Sequence, residues 1–289
     1  MSKNAAGVVN FWPSDNQQET LQVSHHYYSG FFAAEMSCSV IKFRNKHPVG
    51  HYYMPDITVT NSDRVLLEDI NRIVGEDDGV ISKVKGALNL SFRGKRKVKI
   101  ILSFLATYPL ICGDLGNERI RIMRAAVSYL DQHKGHAEHR RKTIVMGVYR
   151  KALRRVKEEG RIKKSFSLLE SSRDAVGYFL AGVIDGEGSF GWKRSNDRLE
   201  PYIAVAMKDE KIISLLKAFT GFGNTRKRKD GLRHWETNAK STIIAFANIF
   251  LHQYPLRHIT QRKKLDKLQR TLNDYMPKLS VRFRPENVI

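Results

Sequence analysis

An internal repeat constrains the fold of this 289-residue chain more strongly than any other feature of its sequence. Segments of the first half align with segments of the second at nearly constant spacing. Residues 30–35 align with 182–187 at an offset of 152 residues. At an offset of 146 residues, 55–59 align with 201–205, Asp63 with Asp209, and the Tyr-Pro-Leu of 108–110 with that of 254–256. A single six-residue deletion between the first two blocks accounts for the change. The repeat predicts two structurally related halves in one chain.

Apolar periodicity and turn residues predict the same order of elements, α-β-β-α-β-β-α, in both copies. After the first helix, the predicted elements of copy one are strands 37–46 and 52–60, helix 63–74, strands 80–85 and 87–93, and helix 97–108. Those of copy two are strands 189–193 and 202–207, helix 210–219, strands 224–229 and 233–238, and helix 242–254. A further basic helix is predicted at 261–272.

The predicted fold class is therefore α+β, with two pseudo-symmetric αββαββα halves. The first half is assigned to residues 1–130 and the second to 171–289. Between them, residues 131–170 form a basic connecting segment with scattered apolar side chains, which predicts a partly helical, docked connection. A solvated charged helix and a helix that contacts phosphates are both compatible with its composition.

The first helix of each copy has a face of small residues. Gly182 and Gly186 share one face of the second copy's helix, and Gly30 and Ala34 occupy the matching places in the first copy. Small side chains let two helix backbones approach closely. The two helices are predicted to pack side by side around a pseudo-twofold axis, and Ser171 or Ser172 is a plausible N-cap for the second.

Two carboxylates, Glu35 and Glu187, occupy equivalent places at the ends of these helices. A negative charge at a helix C-terminus opposes the helix dipole, and two such charges in contact repel each other. A divalent cation with oxygen ligands would compensate, which predicts that both residues bind metal and act in catalysis. The alternative without a function is that the Asp-Gly-Glu-Gly of 185–188 only ends the helix in a polar turn. This alternative does not explain why the glutamate is repeated in both copies.

The charge of the chain points to a polyanionic partner. Lys and Arg number 50 against 29 Asp and Glu, a formal net charge of +21. The two cysteines, Cys38 and Cys112, are too few for a disulfide framework and do not form a CxxC zinc motif. Neither a secretion signal nor a membrane-spanning segment is recognisable. We expect a soluble, intracellular protein without a membrane partner, in either the cytoplasm or an organelle matrix.

Side chains alternate between the two faces of a strand, so a strand can place its basic side chains together on one face. Such a face is a candidate surface for contact with DNA. The pattern predicts Lys42, Arg44 and Lys46 on a polar face opposite Ile41 and Phe43. Strand pairs can enter the major groove, where basic side chains read guanine. The candidate DNA-binding residues are Lys42, Arg44, Lys46, Arg93, Lys193, Arg226, Arg228, Lys229 and Arg233. An ordinary solvated basic face is the alternative.

Residues 180–188, which read LAGVIDGEG, closely resemble the signature of the LAGLIDADG homing endonucleases. Residues 28–36, YSGFFAAEM, look like a degenerate first copy. The resemblance implies saddle-shaped antiparallel sheets astride a long, asymmetric double-stranded DNA target, which a single-chain monomer encoded in a mobile intron cuts into staggered ends. It also implies dependence on Mg²⁺ or another divalent cation held by Glu35 and Glu187.

The sequence departs from that family pattern in ways that bear on activity. Ala33 stands where the second copy has Asp185, and Met36 stands where it has Gly188. Family members often place a basic residue shortly after the Tyr-Pro-Leu element, where this chain has Asp114 and Thr260; Arg119, Arg262 or Lys263 could substitute. A cleavage-deficient intron maturase, or a DNA- or RNA-binding protein on the same fold with intron RNA as partner, is therefore an alternative. An unrelated basic ribosomal or RNA-binding protein would not explain the matched glutamates.

Overall fold

The computed structural model describes residues 23–44, 51–134, 139–160, 162–163, 165–195 and 198–274. Its elements in chain order are α1 (His26–Glu35), β1 (Met36–Arg44), β2 (His51–Asn61), α2 (Arg64–Ile73), β3 (Val80–Val84), β4 (Ala87–Arg93), α3 (Lys95–Thr107), α4 (Asp114–Gln132), α5 (His139–Glu159), α6 (Arg173–Glu187), β5 (Gly188–Ser195), β6 (Arg198–Met207), α7 (Glu210–Thr220), β7 (Asn224–Lys227), β8 (Arg233–Thr237), α8 (Lys240–Asn248, continued by a π-helical turn Ile249–Gln253) and α9 (Ile259–Asp274). None of these helices is long and apolar enough to cross a lipid bilayer.

The strands form two four-stranded antiparallel sheets of identical topology, with the orders β1-β2-β4-β3 and β5-β6-β8-β7. In the first sheet Met36 pairs with Val59, and in the second Gly188 pairs with Val205, so the pairing keeps the offsets of the sequence repeat. The six-residue deletion therefore lies in the second half, between its first two strands, β5 and β6. The predicted α+β class with two pseudo-symmetric halves is confirmed.

Each half ends with one helix more than the predicted αββαββα order. In the second half this is α9, which the sequence predicts at 261–272. Its counterpart α4 was not predicted, and it runs across the expected domain boundary at residue 130. The connecting segment contains α5, which packs on α4, β1 and β2 and buries Met146, Leu153 and Val156.

Helices α1 and α6 pack against each other through the predicted small-residue face. A methyl group added at Gly30 would lie 1.8 Å from the carbonyl oxygen of Phe179, and one at Gly182 would lie 2.0 Å from that of Tyr27. Because Phe179 and Tyr27 are themselves equivalent positions of the repeat, the two contacts are related by the pseudo-twofold axis. Ser172 is the N-cap of α6, and its hydroxyl accepts a hydrogen bond from the backbone N–H of Ala175.

The repeated aspartates, Asp63 and Asp209, connect the two halves. Each caps the helix that follows it, α2 or α7, through one carboxylate oxygen. The second oxygen of Asp63 accepts from the backbone N–H of Ile259 at 2.8 Å, and that of Asp209 accepts from Leu115 at 2.9 Å. The first turns of α9 and α4 are thus each held by an aspartate of the opposite half, which positions both helices near the ends of α1 and α6.

Candidate active site and nucleic-acid interface

The two predicted catalytic glutamates lie at the contacting ends of α1 and α6. A methyl group added at Gly186 would lie 2.6 Å from Ala34 Cβ and 3.1 Å from Glu35 Cγ, so the helices touch where the glutamate side chains begin. After Glu35 and Glu187 the chain turns directly into β1 and β5, with Met36 and Gly188 in extended conformation. The structure therefore brings together the four interface positions and both carboxylates.

Burial raises the pKa of both carboxylates to about 7. For Glu35 the negative charge of Glu187 raises the pKa further, whereas the side-chain amide of Asn61, whose Nδ2 donates to Glu35 Oε1 at 3.4 Å, opposes the shift. Within the described residues no basic side chain forms an ion pair with either glutamate. Two half-buried carboxylates that share a site without a cationic partner favour protonation or a bound cation.

This pair of carboxylates fits a hard divalent cation in its chemistry, because oxygen donors are the ligands that Mg²⁺ and Ca²⁺ prefer. Among the described residues there is no group of three or more His, Cys, Asp or Glu side chains arranged to hold a metal ion. Glu35 and Glu187 would therefore supply only part of a coordination sphere. Phosphate oxygens and water are the natural donors for the remainder, as is usual for Mg²⁺ in nucleotide and polymerase sites.

Of the three candidate basic residues, Arg119 makes a hydrogen bond at this site. Its Nη1 donates to the carbonyl oxygen of Met36 at 2.7 Å, and it lines a cavity of about 260 Å³ together with Glu187. Arg262 and Lys263 are exposed on α9. The side chain that contacts the equivalent carbonyl, that of Gly188, is Gln261, whose Nε2 donates at 2.8 Å.

Asn61 is a site residue that the sequence interpretation missed. It is the last residue of β2 and lies two residues before the repeated Asp63, so the 146-residue offset pairs it with Met207 at the end of β6. The repeat could have identified the position, since it adjoins an aligned residue. Its chemistry could not be read from the alignment, because the two halves differ here.

Asp185, the acid that the first copy lacks, has a structural role. It is buried, and its Oδ2 accepts from the Tyr27 hydroxyl at 2.7 Å and from the backbone N–H groups of Arg257 and His258. Burial raises its pKa to about 6, although these hydrogen bonds oppose the shift. In the equivalent pair of the other half, Phe179 replaces Tyr27 and Ala33 replaces Asp185. The tyrosine hydroxyl that donates and the carboxylate that accepts are therefore both absent from this pair, and Ala33 leaves no hydroxyl without a partner.

The predicted polar face of the first sheet needs a correction. Lys42 and Arg44 continue the alternation of the buried Cys38 and Val40, and Lys42 is paired with Tyr53. They therefore lie on the face that the helices cover, and not on the polar face with Arg93. The alternation was assigned wrongly because both charged residues lie beyond the last buried position of β1. Lys46 lies outside the described residues.

The polar face of the first sheet contains Asp56, whose carboxylate accepts from Arg93 Nε at 3.3 Å, and Thr58 and Thr60 on the same strand. On the second sheet the polar face contains Lys193 and Arg226, and both form ion pairs with Glu236. Burial acts to raise the pKa of Glu236, but the hydrogen bond from Lys193 and the surrounding positive charges together hold that pKa below its usual value.

The remaining basic candidates lie elsewhere on the second half. Arg233 lies on the covered face, paired in register with Met207, and forms an ion pair with Glu210 at 2.6 Å. Arg228 and Lys229 lie in the turn between β7 and β8, where Arg228 pairs with Asp230.

Comparison with known proteins supports the resemblance that the motif suggested. A family model described as LAGLIDADG endonuclease matches residues 180–269. A comparison with curated protein sequences yields no match. Among solved structures, the LAGLIDADG homing endonuclease I-GzeII in complex with its DNA target is 18% identical, with a TM-score of 0.71, over 87% of this chain and 90% of that chain.

Two further solved structures have the same fold. I-SmaMI bound to uncleaved DNA target in the presence of calcium ions is 20% identical, with a TM-score of 0.66, over 88% of this chain and 94% of that chain. The LAGLIDADG meganuclease I-AabMI bound to uncleaved DNA is 14% identical, with a TM-score of 0.69, over 87% of this chain and 91% of that chain. The resemblance to the LAGLIDADG homing endonucleases is confirmed, by sequence over residues 180–269 and by fold over most of the chain.

Proposed function

We propose that this chain is a sequence-specific homing endonuclease that cuts both strands of a long, asymmetric DNA target into staggered ends and depends on Mg²⁺ or another divalent cation. The observation that supports this most strongly is the pair of matched glutamates, Glu35 and Glu187, at the contacting ends of two pseudo-symmetric helices. One chain contains both halves, so a monomer suffices. The divergence of the two halves favours a target whose half-sites differ.

The proposed reaction is hydrolysis of one phosphodiester bond in each strand. One water molecule adds across a P–O bond: its hydroxide joins phosphorus and its proton ends on the leaving oxygen. A bound divalent cation would acidify the water and neutralise charge on the attacking and leaving oxygens. Glu35 and Glu187 would hold that cation, and the close packing at Gly186 would fix the two carboxylates relative to each other. Both must be ionised to do so, so activity should rise through the pH range of their raised pKa values.

The polar faces of the two sheets are the proposed DNA-binding surfaces. Arg93, Lys193 and Arg226 lie there, and each already pairs with a carboxylate, Asp56 or Glu236. An Arg guanidinium that a carboxylate already orients loses little side-chain entropy when it binds guanine. Arg228 and Lys229 extend this surface through the turn after β7. Lys42, Arg44 and Arg233 lie on the covered faces, and we propose for them only a contribution to the positive field that attracts DNA.

Selection from a randomised DNA library tests this function and identifies the target sequence in the same experiment. The purified chain is incubated with the library and Mg²⁺, and the ends of the cut molecules are sequenced. The expected result is one long asymmetric site with a fixed stagger, and no cutting when EDTA replaces Mg²⁺. Recovery of uncut DNA only, with the protein folded and binding DNA, would contradict the proposed activity.

A second function, binding of structured intron RNA as in a maturase, is favoured by α5. A methyl group added at Gly147 of α5 would lie 3.7 Å from the Tyr53 hydroxyl, so α5 lies on the covered side of the first sheet, away from Arg93. Its outer surface exposes basic side chains outside the ion pairs found among the described residues: Arg140, Arg141, Arg150, Lys151 and Arg155. Such a surface would leave the polar faces free for DNA.

Combined substitution of Arg141, Lys151 and Arg155 by Gln tests this second function. If α5 binds RNA, affinity for the intron transcript should fall by about tenfold or more at moderate salt, because each lost phosphate contact lowers the salt-dependent part of binding. Affinity for the DNA target should change by less than about twofold. An equal loss for both nucleic acids would contradict a separate RNA surface.

A further inference from the structure

An apolar patch lies on the polar face of the first sheet, at the end away from the active site. It consists of Ile41, Phe43, Tyr52 and Met54, which pair in register across β1 and β2, Ile41 with Met54 and Phe43 with Tyr52. The guanidinium of Arg93, on the same face, lies 5.8 Å from the centroid of the Phe43 ring. Four apolar side chains therefore adjoin a basic residue of the proposed DNA-binding surface.

The apolar patch faces away from the helices that cover the sheet. The neighbouring Tyr53 points to the covered face, where its hydroxyl would lie 3.7 Å from a methyl group added at Gly147 of α5. Tyr52 points the opposite way and is 40% exposed. Its ring stacks on that of Phe43, with the centroids 5.1 Å apart, so the patch is ordered before it binds a partner. A cluster of partly exposed apolar side chains is typical of a contact surface.

The repeat shows that the shared fold does not require apolar side chains here. The residues equivalent to Ile41, Tyr52 and Met54 in the second sheet are Lys193, Arg198 and Glu200. The pairing register of β5 with β6 matches that of β1 with β2. One half therefore folds with charged residues at positions where the other half has the apolar patch. The difference lies in the surface that each sheet presents, and not in the packing beneath it.

Duplex DNA offers the apolar patch one kind of complementary group. Among the base edges in the major groove, thymine alone presents an apolar group, its 5-methyl group. The other groups there are hydrogen-bond donors and acceptors, which an apolar side chain would leave without a partner. The patch is continuous with the proposed DNA-binding surface through Arg93, whose Nε donates to Asp56 on the same face. A groove that receives Arg93 also receives the patch.

We infer that the apolar patch recognises thymine methyl groups, so that the half-site bound by the first sheet requires T·A pairs where the second half-site is read by charged side chains. This inference rests on the proposed endonuclease function. The strand also gives the position of these pairs. Ile41 and Phe43 lie six and eight residues after Glu35 along β1, about 20 and 26 Å at ~3.3 Å per residue. At ~3.4 Å per base pair, the patch meets the DNA about six to eight base pairs from the cut.

Replacement of thymine by uracil in the selected target tests the inference, because it removes the methyl group and keeps every hydrogen-bonding group. Affinity for uncut DNA is measured in Ca²⁺, with one thymine replaced at a time by deoxyuridine. Affinity should fall about fourfold for each methyl group removed about six to eight base pairs from the cut, in one half-site only. At the same positions, 5-methylcytosine should bind about fourfold better than cytosine, because it restores the methyl group without the T·A pair.

A variant of the patch assigns the effect to these side chains. Ile41→Ser combined with Tyr52→Ser removes one member of each register pair and should abolish the discrimination between thymine and uracil. Leu199→Ser is the matched control, because Leu199 is an exposed apolar residue of β6, equivalent to Tyr53 and on the opposite face from the polar one. It should discriminate as the wild type does. Thermal unfolding reports whether each variant is folded, and the wild-type measurement with deoxyuridine depends on neither variant.

The possible failures of the inference and of the function are distinguishable. A wild type that cuts its target and tolerates uracil at all of these positions would overturn the inference and leave the endonuclease function intact. A dimer of the free chain that the double variant dissociates, with thymine and uracil bound equally, would show that a second copy covers the patch, and would also overturn it. A wild type that binds the target, discriminates thymine from uracil and cuts neither strand would support the apolar contact and overturn the nuclease function.

Discussion

Two glycines at equivalent positions determine how closely α1 and α6 approach. Gly30 and Gly182 each lie against a carbonyl oxygen of the facing helix, at distances that no Cβ could occupy. The spacing of small residues in the sequence predicts this contact, and in the structure the two helices touch at these glycines. Because the helix ends hold Glu35 and Glu187, any displacement of the backbones would also separate the carboxylates.

Substitution of Gly182 by Ala should lower the free energy of unfolding by about 3 kcal/mol, because backbone atoms have to move to admit the methyl group. Gly147→Ala in α5 is the matched control: its added methyl group would meet only the Tyr53 hydroxyl, at 3.7 Å. This control should be neutral, or stabilising by about 0.5–1 kcal/mol, through helix propensity. Urea unfolding of both variants measures the difference, and equal effects would contradict the close-contact account.

At the scale of elements, the two halves hold each other's last helices. Asp63 and Asp209 each use one oxygen for their own helix and the other for a helix of the opposite half. The repeat showed that these aspartates correspond, and a helix cap explains each of them locally. The contact across the halves could not be predicted, because it depends on how α4 and α9 pack, and α4 was not recognised in the sequence.

Asp63→Ala should destabilise the chain more than Ser172→Ala, which removes a cap of α6 alone. We expect a loss of about 1 kcal/mol for the serine variant and about 2–3 kcal/mol for the aspartate variant, since the latter also leaves the N–H of Ile259 without its acceptor. Hydrogen exchange distinguishes the two: peptides covering the start of α9 should lose protection only in Asp63→Ala. Unchanged protection there would contradict the contact between the halves.

The prediction from sequence was most accurate where the two halves agree and least accurate where they differ. The matched glutamates, the small-residue faces and the strand order could be predicted because both copies contain the same pattern. The face of Lys42 and Arg44 was assigned wrongly, because charged side chains at a strand end do not show which face the helices cover. Asn61 and Gln261 were missed because neither residue has a chemical counterpart in the other copy.

At the scale of the whole molecule, the paired carboxylates link stability to pH. Their pKa values are raised from 4.5 to about 7, so between these values the folded state binds more protons than the unfolded state. Stability without metal should therefore fall as pH rises from about 4.5 to 7 and change little from this cause above that range. Glu187→Gln should remove part of this fall and stabilise the metal-free protein at pH 8 by about 1–3 kcal/mol. Thermal unfolding from pH 5 to 8 in EDTA measures the effect, and a variant no more stable than the wild type at pH 8 would contradict it.

The measurement that tests the central claim most directly is cleavage of the selected target by Glu35→Gln and Glu187→Gln in Mg²⁺, with DNA affinity measured in parallel in Ca²⁺. Glu68→Gln, an exposed position on α2, is the control. If the two glutamates act together on metal and phosphate, each glutamine variant should lose about 100-fold or more of its double-strand cleavage while it still binds the target, and the control should match the wild type. Full cleavage by either glutamine variant would contradict the paired-glutamate site.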